Sequence, residues 1–250
     1  MSAQIRVQER YVPTDELGAA ISNYNRPIVI EAESEEFPFY FRGSACLLRY
    51  QNRFFAVTCF HNIKDIIVPF DCIFLQAKLG GGHQFNIPLA RSFISKLELR
   101  NSDDRFDIAF FESDTGLLPE RIENEFYDIS HRSTCYVPVK GEPILACGFP
   151  LYKATADYQN RSIGRPATIV DGRFDRWSNE PHLFYCKVLK NPAGGVSDGF
   201  SGGGAFGVRV GVGTIELCFS GIVVRGDKNH FYAIDANFIR EALINAIAGP

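Results

Sequence analysis

From Pro27 onward the chain is a series of short apolar runs, rich in Val, Ile and Phe, separated by turn signals. The clearest runs in the first half are Ile28–Ala32, Phe39–Tyr50, Phe54–Thr58, Cys72–Ala77, Phe85–Leu89 and Ile108–Glu112. In the second half they are Cys135–Val139, Ile144–Cys147, Thr168–Phe174, Leu183–Leu189, Ala205–Val210, Thr214–Val224 and Phe231–Ile234. Runs this short, bounded by Gly, Asn, Asp and Pro, are too brief for helices and fit half-buried strands. They predict an all-β barrel or sandwich. Tyr50-Gln51-Asn52-Arg53 and Val210-Gly211-Val212-Gly213 read as hairpin turns. One helix is expected at the end: Phe238, Ile239, Leu243, Ile244 and Ile247 follow a 3.6-residue spacing, with Asp235 as N-cap and Gly249 as stop. Residues 1–26 are polar, with one short helix near Thr14–Asn23.

Composition narrows the functional classes. The 250 residues carry a net charge of −3, which gives no support for the basic face that nucleic acid requires. No apolar run approaches the length of a membrane span. The seven cysteines, Cys46, Cys59, Cys72, Cys135, Cys147, Cys186 and Cys218, are odd in number and widely scattered. They do not read as a disulfide framework, and no Cys-x-x-Cys or His-x-x-x-His pair points to zinc. The first residues, Met-Ser-Ala-Gln-Ile-Arg, hold no apolar signal core. A reducing, cytoplasmic setting is therefore expected, in which the Asn160-Arg161-Ser162 sequon has no role.

Three segments carry candidate chemistry. Asp198-Gly199-Phe200-Ser201-Gly202-Gly203-Gly204 places a serine among glycines, ahead of an apolar run. Glycine admits backbone conformations closed to other residues and lets a ligand approach closely. Val57-Thr58-Cys59-Phe60-His61 ends an apolar run in a histidine, and Asp107 opens the run Ile108–Phe111. A serine hydroxyl needs a base within hydrogen-bond reach to act as a nucleophile. Histidine suits that role, and a carboxylate on its other nitrogen fixes the tautomer. Asp107 abuts a run expected to be buried, whereas Asp103 and Asp104 lie in a polar turn. Taken singly, each segment has an ordinary structural explanation as a loop or strand end. Two alternatives are weaker: Gly202–Gly207 matches Gly-x-Gly-x-x-Gly but opens no helix, and Cys147 lies outside the glycine loop.

The order His61, Asp107, Ser201, with gaps of 46 and 94 residues, together with these motifs, resembles the trypsin/chymotrypsin-like serine peptidase family. Thr58…His61 is similar to its Thr/Ser-Ala-Ala-His segment, Asp107-Ile108-Ala109 to its Asp-Ile/Leu-Ala strand, and Gly199-Phe200-Ser201-Gly202-Gly203 to its Gly-Asp-Ser-Gly-Gly loop. Gly221–Gly226 resembles the strand that binds substrate backbone. The resemblance runs from about Ile28 to the C-terminus. It implies two six-stranded antiparallel β-barrels followed by a C-terminal α-helix. The divisions expected are a 1–26 extension, a first barrel over 27–115, a connection over 116–132, a second barrel over 133–234 and the helix over 235–250.

The resemblance implies a serine endopeptidase that needs no cofactor or metal and acts on a protein or peptide. His61, Asp107 and Ser201 would be the triad, and the N–H groups of Gly199 and Ser201 the oxyanion hole. Val224, Arg225 and Gly226 would pair with substrate backbone. Gly195 stands six residues before the serine, where trypsin-like members select basic side chains with a carboxylate. Arg225 and His230 fall near the implied pocket walls and would favour an acidic residue, although each also reads as a solvated loop charge. Two departures stand out. Cys46 lies where secreted members have one half of a disulfide, but the residue after the histidine is Asn62. Phe200 replaces the aspartate that orders the oxyanion loop in zymogen-activated members, so that loop must be ordered by packing, a partner or substrate. Two other readings remain: a silent or partner-activated binding module on the same fold, and an esterase using the same triad.

Overall fold

The computed structural model describes residues 3–31, 39–64, 73–78, 84–94, 107–157, 162–189, 198–211 and 213–249. Gly195, Cys72, Asp103, Asp104 and part of the Asn160-Arg161-Ser162 sequon lie outside these residues.

The chain is mostly β. An N-terminal hairpin, β1 (Gln4–Val7) and β2 (Arg10–Pro13), leads into helix α1 (Leu17–Asn23). The first half then forms β3 (Asn25–Glu31), β4 (Phe39–Tyr50), β5 (Arg53–Thr58) and β6 (Ile73–Phe74). A small hairpin, β7 (Gln76–Lys78) with β8 (Gln84–Asn86), precedes β9 (Leu89–Ile94) and β10 (Ala109–Ser113). The sheet runs β6-β3-β4-β5-β10-β9 and stays open between β6 and β9 among the described residues. It is a half-barrel curved around Ile28, Ile30, Leu47, Ala56, Ala109 and Phe111. Strict alternation places these side chains on one face.

A short helix, α2 (Glu120–Glu123), and strand β11 (Tyr127–Asp128) carry the chain across. The second half comprises β12 (Pro143–Gly148), the small β13 (Thr155–Asp157) and β14 (Ser162–Gly164), β15 (Thr168–Trp177), β16 (Leu183–Val188), β17 (Gly204–Val210), β18 (Ile215–Gly226) and β19 (His230–Asp235). The order β17-β12-β15-β16-β19-β18, with β17 also paired to β18, closes a six-stranded antiparallel barrel. Helix α3 (Ala236–Ala248) ends the fold, and the Asp235 carboxylate caps it by accepting from the N–H groups of Asn237 and Phe238.

The expected strands recur with bounds shifted by at most three residues, with four differences. The described part of Cys72–Ala77 divides between β6 and β7, which belong to different sheets. Cys135–Val139 is not a strand. It follows a short 3-10 turn and touches Phe219 through one isolated bridge. The run Phe85–Leu89 splits between β8 and β9 around Pro88, which has no N–H for a ladder. The N-terminal residues are not merely polar. Ile5 and Val7 are buried, and β1 lies parallel to β18, with Arg6 opposite Glu216.

The two halves share one core. Tyr24, Tyr127, Phe206 and Phe219 form an edge-packed aromatic group across the junction; Tyr24 and Tyr127 are 5.2 Å apart, and Tyr127 and Phe206 5.6 Å. The buried Tyr127 hydroxyl donates to the Leu217 carbonyl at 3.0 Å. Each such ring contributes about 1.5–3 kcal/mol by leaving water, so the halves are held by the same forces as a domain interior. Among the described residues no helix is long and apolar enough to cross a membrane.

Candidate functional site

The antiparallel register of β5 and β10 pairs Thr58 with Ala109. His61 follows β5 by three residues and Asp107 precedes β10 by two, so both fall at one end of the same strand pair. The Phe60 N–H donates to the Asp107 carbonyl at 3.1 Å, which ties the two segments together. The Asp107 carboxylate then bonds twice to His61: Oδ1 accepts the backbone N–H at 2.7 Å, and Oδ2 pairs with ring Nδ1. A carboxylate oxygen accepts, so Nδ1 is the donor in this contact and Nε2 takes no part in it. The His61 side chain is 41% exposed and that of Asp107 15%.

Ser201 comes from the opposite half, in the loop before β17. Ser44 and Asn62 of the first half hold it: the Ser44 N–H and Asn62 Nδ2 both donate to the Ser201 carbonyl at 2.9 Å. The Ser201 hydroxyl donates to Asn62 Oδ1 at 3.0 Å. Asn62 Nδ2 also reaches Thr58 Oγ1 at 3.0 Å, and Thr58 Oγ1 donates to the Ser44 carbonyl at 2.7 Å. Asn62 therefore clasps Ser201 at both its carbonyl and its hydroxyl. Among the described residues Ser201 makes no hydrogen bond to His61; its hydroxyl is held by Asn62, the residue that follows the histidine. In the sequence Asn62 stands out only as the residue that replaces a disulfide cysteine. No local pattern announces its reach to a residue 139 positions away.

The loop itself is built by close packing. The Ser44 hydroxyl donates to the Gly199 carbonyl at 2.5 Å and accepts from the Phe149 N–H at 3.0 Å. The Leu151 N–H donates to the Asp198 carbonyl at 3.0 Å. Farther along, the Gly202 N–H donates to the Val223 carbonyl and the Val223 N–H to the Gly203 carbonyl, both at 2.8 Å. Gly199 and Gly202 have φ of +101° and +87°. A side chain at Gly202 would overlap the Ser44 carbonyl and Thr58 Oγ1, and one at Gly199 the Phe149 carbonyl and Arg165. These two glycines are required by conformation and by space. The N–H groups of Gly199 and Ser201 donate to no described residue.

Phe200 is 1% exposed and belongs to the second-barrel core with Ile144, Ala146, Ala205 and Val223. Packing therefore orders the loop at the position where the resemblance implied an ion pair. Six cysteines, Cys46, Cys59, Cys135, Cys147, Cys186 and Cys218, are buried, and no disulfide joins them to one another. Burial pushes the Cys147 thiol up to about 12, which opposes its use as a nucleophile. Cys59, His61 and Asp107 bring one thiol, one imidazole and one carboxylate atom within 4.8 Å of one another. An ion held there would displace the pairing between His61 and Asp107.

Of the residues expected to recognise substrate, Val224, Arg225 and Gly226 lie on β18, His230 opens β19, and Gly195 is outside the described residues. Val224 is buried. Beyond Val223 the strand has one described neighbour, β19, with Arg225 opposite Tyr232 and Gly226 opposite Phe231. The Arg225 guanidinium lies over the Tyr232 ring at 4.7 Å, with Glu180 3.9 Å away. His230 stacks on Tyr185 at 4.7 Å and faces Asp227 at 3.5 Å. Arg225 and His230 thus each have a carboxylate nearby.

No protein-family model matches this chain, and no curated protein resembles it significantly.

Proposed function

We propose that the protein is a serine endopeptidase of the trypsin/chymotrypsin-like class, with two chymotrypsin-like barrels and its reaction centre in the cleft between them. The observation that carries this reading is the pair of hydrogen bonds from His61 to Asp107, one residue from the Asn62 that holds the glycine-loop Ser201, with the Gly199 and Ser201 N–H groups unspent among the described residues. Ser201 Oγ attacks the peptide carbonyl while His61 Nε2 takes its proton. Asp107 keeps Nδ1 protonated and stabilises the imidazolium. The N–H groups of Gly199 and Ser201 donate to the oxyanion, each worth about 3–4 kcal/mol of transition-state stabilisation. His61 then protonates the leaving amine, and water repeats the sequence to release the acid. Val224–Gly226 offers backbone for strand addition by an extended peptide, which favours a peptidase over an esterase.

The second reading, a silent or partner-activated module, draws on the Ser201–Asn62 hydrogen bond. Turnover requires the hydroxyl to leave Asn62 and rotate to another staggered position facing His61. In the peptidase reading substrate drives that rotation; in the alternative a protein partner does. Hydrolysis of a quenched peptide library tests both. Wild type is expected to cleave, and Ser201→Ala or His61→Ala to lower turnover by about 10⁶. Equal turnover in Ser201→Ala would refute the assignment, and cleavage only after addition of a partner would select the second reading.

A further inference from the structure

Arg165 lies between β14 and β15 and is 8% exposed. None of its three side-chain nitrogens has a hydrogen-bond partner among the described residues. Its guanidinium lies over the Phe41 ring at 4.3 Å and against Gly199. Burial lowers its pKa to about 10, still leaving it charged at neutral pH. Folded proteins pair buried charges, because an uncompensated one is costly. An aromatic face offsets only part of that cost.

Arg165 lines a cleft of about 680 Å³ between the two halves, together with Arg26, Phe41, Phe149 and Glu125. Arg26 is 7% exposed. It gives NH2 to Glu125 and NH1 to the Asn23 and Asn25 carbonyls, and its Nε has no partner among the described residues. The one carboxylate of the cleft, Glu125, is taken by Arg26, so among the described lining residues two buried guanidiniums face a single carboxylate and an excess positive charge remains. Guanidinium matches carboxylate and phosphate oxygens in paired hydrogen bonds.

We propose that this cleft binds a carboxylate or phosphate anion, with Arg165 as its principal contact. The anion comes either from an acidic side chain of a peptide substrate or from a free small anion. Position favours the leaving-group side of the substrate for the first source. The loop at 198–199 is tied to 149–151, and at 202–203 to β18. A peptide lying along Val224–Gly226 with its carbonyl at Ser201 therefore continues past Gly199 toward Arg165. That peptide source rests on the peptidase reading, whereas the free-anion source does not.

Thermal unfolding tests the proposal. Sodium phosphate is titrated against sodium chloride at equal ionic strength. A peptide with glutamate after the scissile bond is compared with its glutamine twin in the Ser201→Ala protein, which leaves both peptides intact. A saturable rise in Tm of about 2–4 °C is expected with phosphate, with the glutamate peptide or with both. Arg165→Met, which keeps the aliphatic volume and removes the unpaired charge, should lose the rise and melt no lower than wild type without anion. If Arg165→Met fails to fold, Arg165→Gln carries the same comparison. Phosphate alone acting identifies a free-anion site, and the glutamate peptide alone acting identifies a substrate pocket. No saturable rise with either probe, or a rise that survives in the Arg165 variants, overturns the proposal.

Discussion

Asp107 does more in this structure than orient a ring. Its second oxygen accepts the backbone N–H of His61, so the carboxylate fixes both the position of the residue and the tautomer of its imidazole. Asp107→Asn keeps one acceptor but presents an amide donor that favours the wrong tautomer. Turnover is expected to fall by about 10⁴ with the fold intact, a magnitude taken from the general Ser-His-Asp case. Near-normal turnover in that variant, measured beside an unchanged melting curve, would remove Asp107 from the site. Asn62 sets the contrasting lesson. The pairing of His61 with Asp107 was legible from the chain order and the resemblance, with His61 closing one apolar run and Asp107 opening another. The hold of Asn62 on Ser201 was not, because it depends on how two separate sheets dock.

Legibility at the element scale followed the same division. β4, β5, β12, β17 and β18 were readable because each alternates or runs apolar over enough residues to outweigh local noise. The segment Gln4–Val7 was read as polar because only Ile5 and Val7 of its four residues face the core. Its partner, β18, lies more than 200 positions away. Charge also secures that strand: Glu216 receives Arg209 from β17 and Arg6 from β1. The hydrogen bond from Arg209 is the main reason its carboxyl is held below the usual range, with Arg6 adding to the effect. A lowered folded-state value means the stabilisation is present above the unfolded value of about 4.3 and is lost as pH falls through the folded one. The contribution is modest, at most about 1 kcal/mol, because both arginines are partly exposed and screened. Hydrogen exchange should therefore show β1 losing protection in mild acid before the barrel strands do. Glu216→Gln should remove that pH dependence. Equal protection of β1 in wild type from pH 7 down to about 3 would contradict the assignment.

For the whole molecule, one closed barrel and one half-barrel meet over a shared aromatic core, and the candidate site is the polar part of that meeting. Ser44, Thr58 and Asn62 approach from one side and Gly199, Ser201 and Gly202 from the other. Docking of the halves therefore sets the distance between His61 and Ser201, and Phe200, anchored in the second core, sets the loop. The all-β class, the C-terminal helix and the residues of the pair and loop were readable from pattern and order. The half-open first sheet, the Asn62 clasp and the buried Arg165 were not, since each arises from contacts between distant segments. The most direct measurement is covalent labelling by a fluorophosphonate, which reacts with an activated serine and needs no knowledge of the substrate. Peptide mapping by mass spectrometry should find the adduct on Ser201 and on no other serine, with labelling lost in His61→Ala. Absence of labelling under conditions that modify a known serine peptidase, or labelling that persists in His61→Ala, would contradict an activated Ser201.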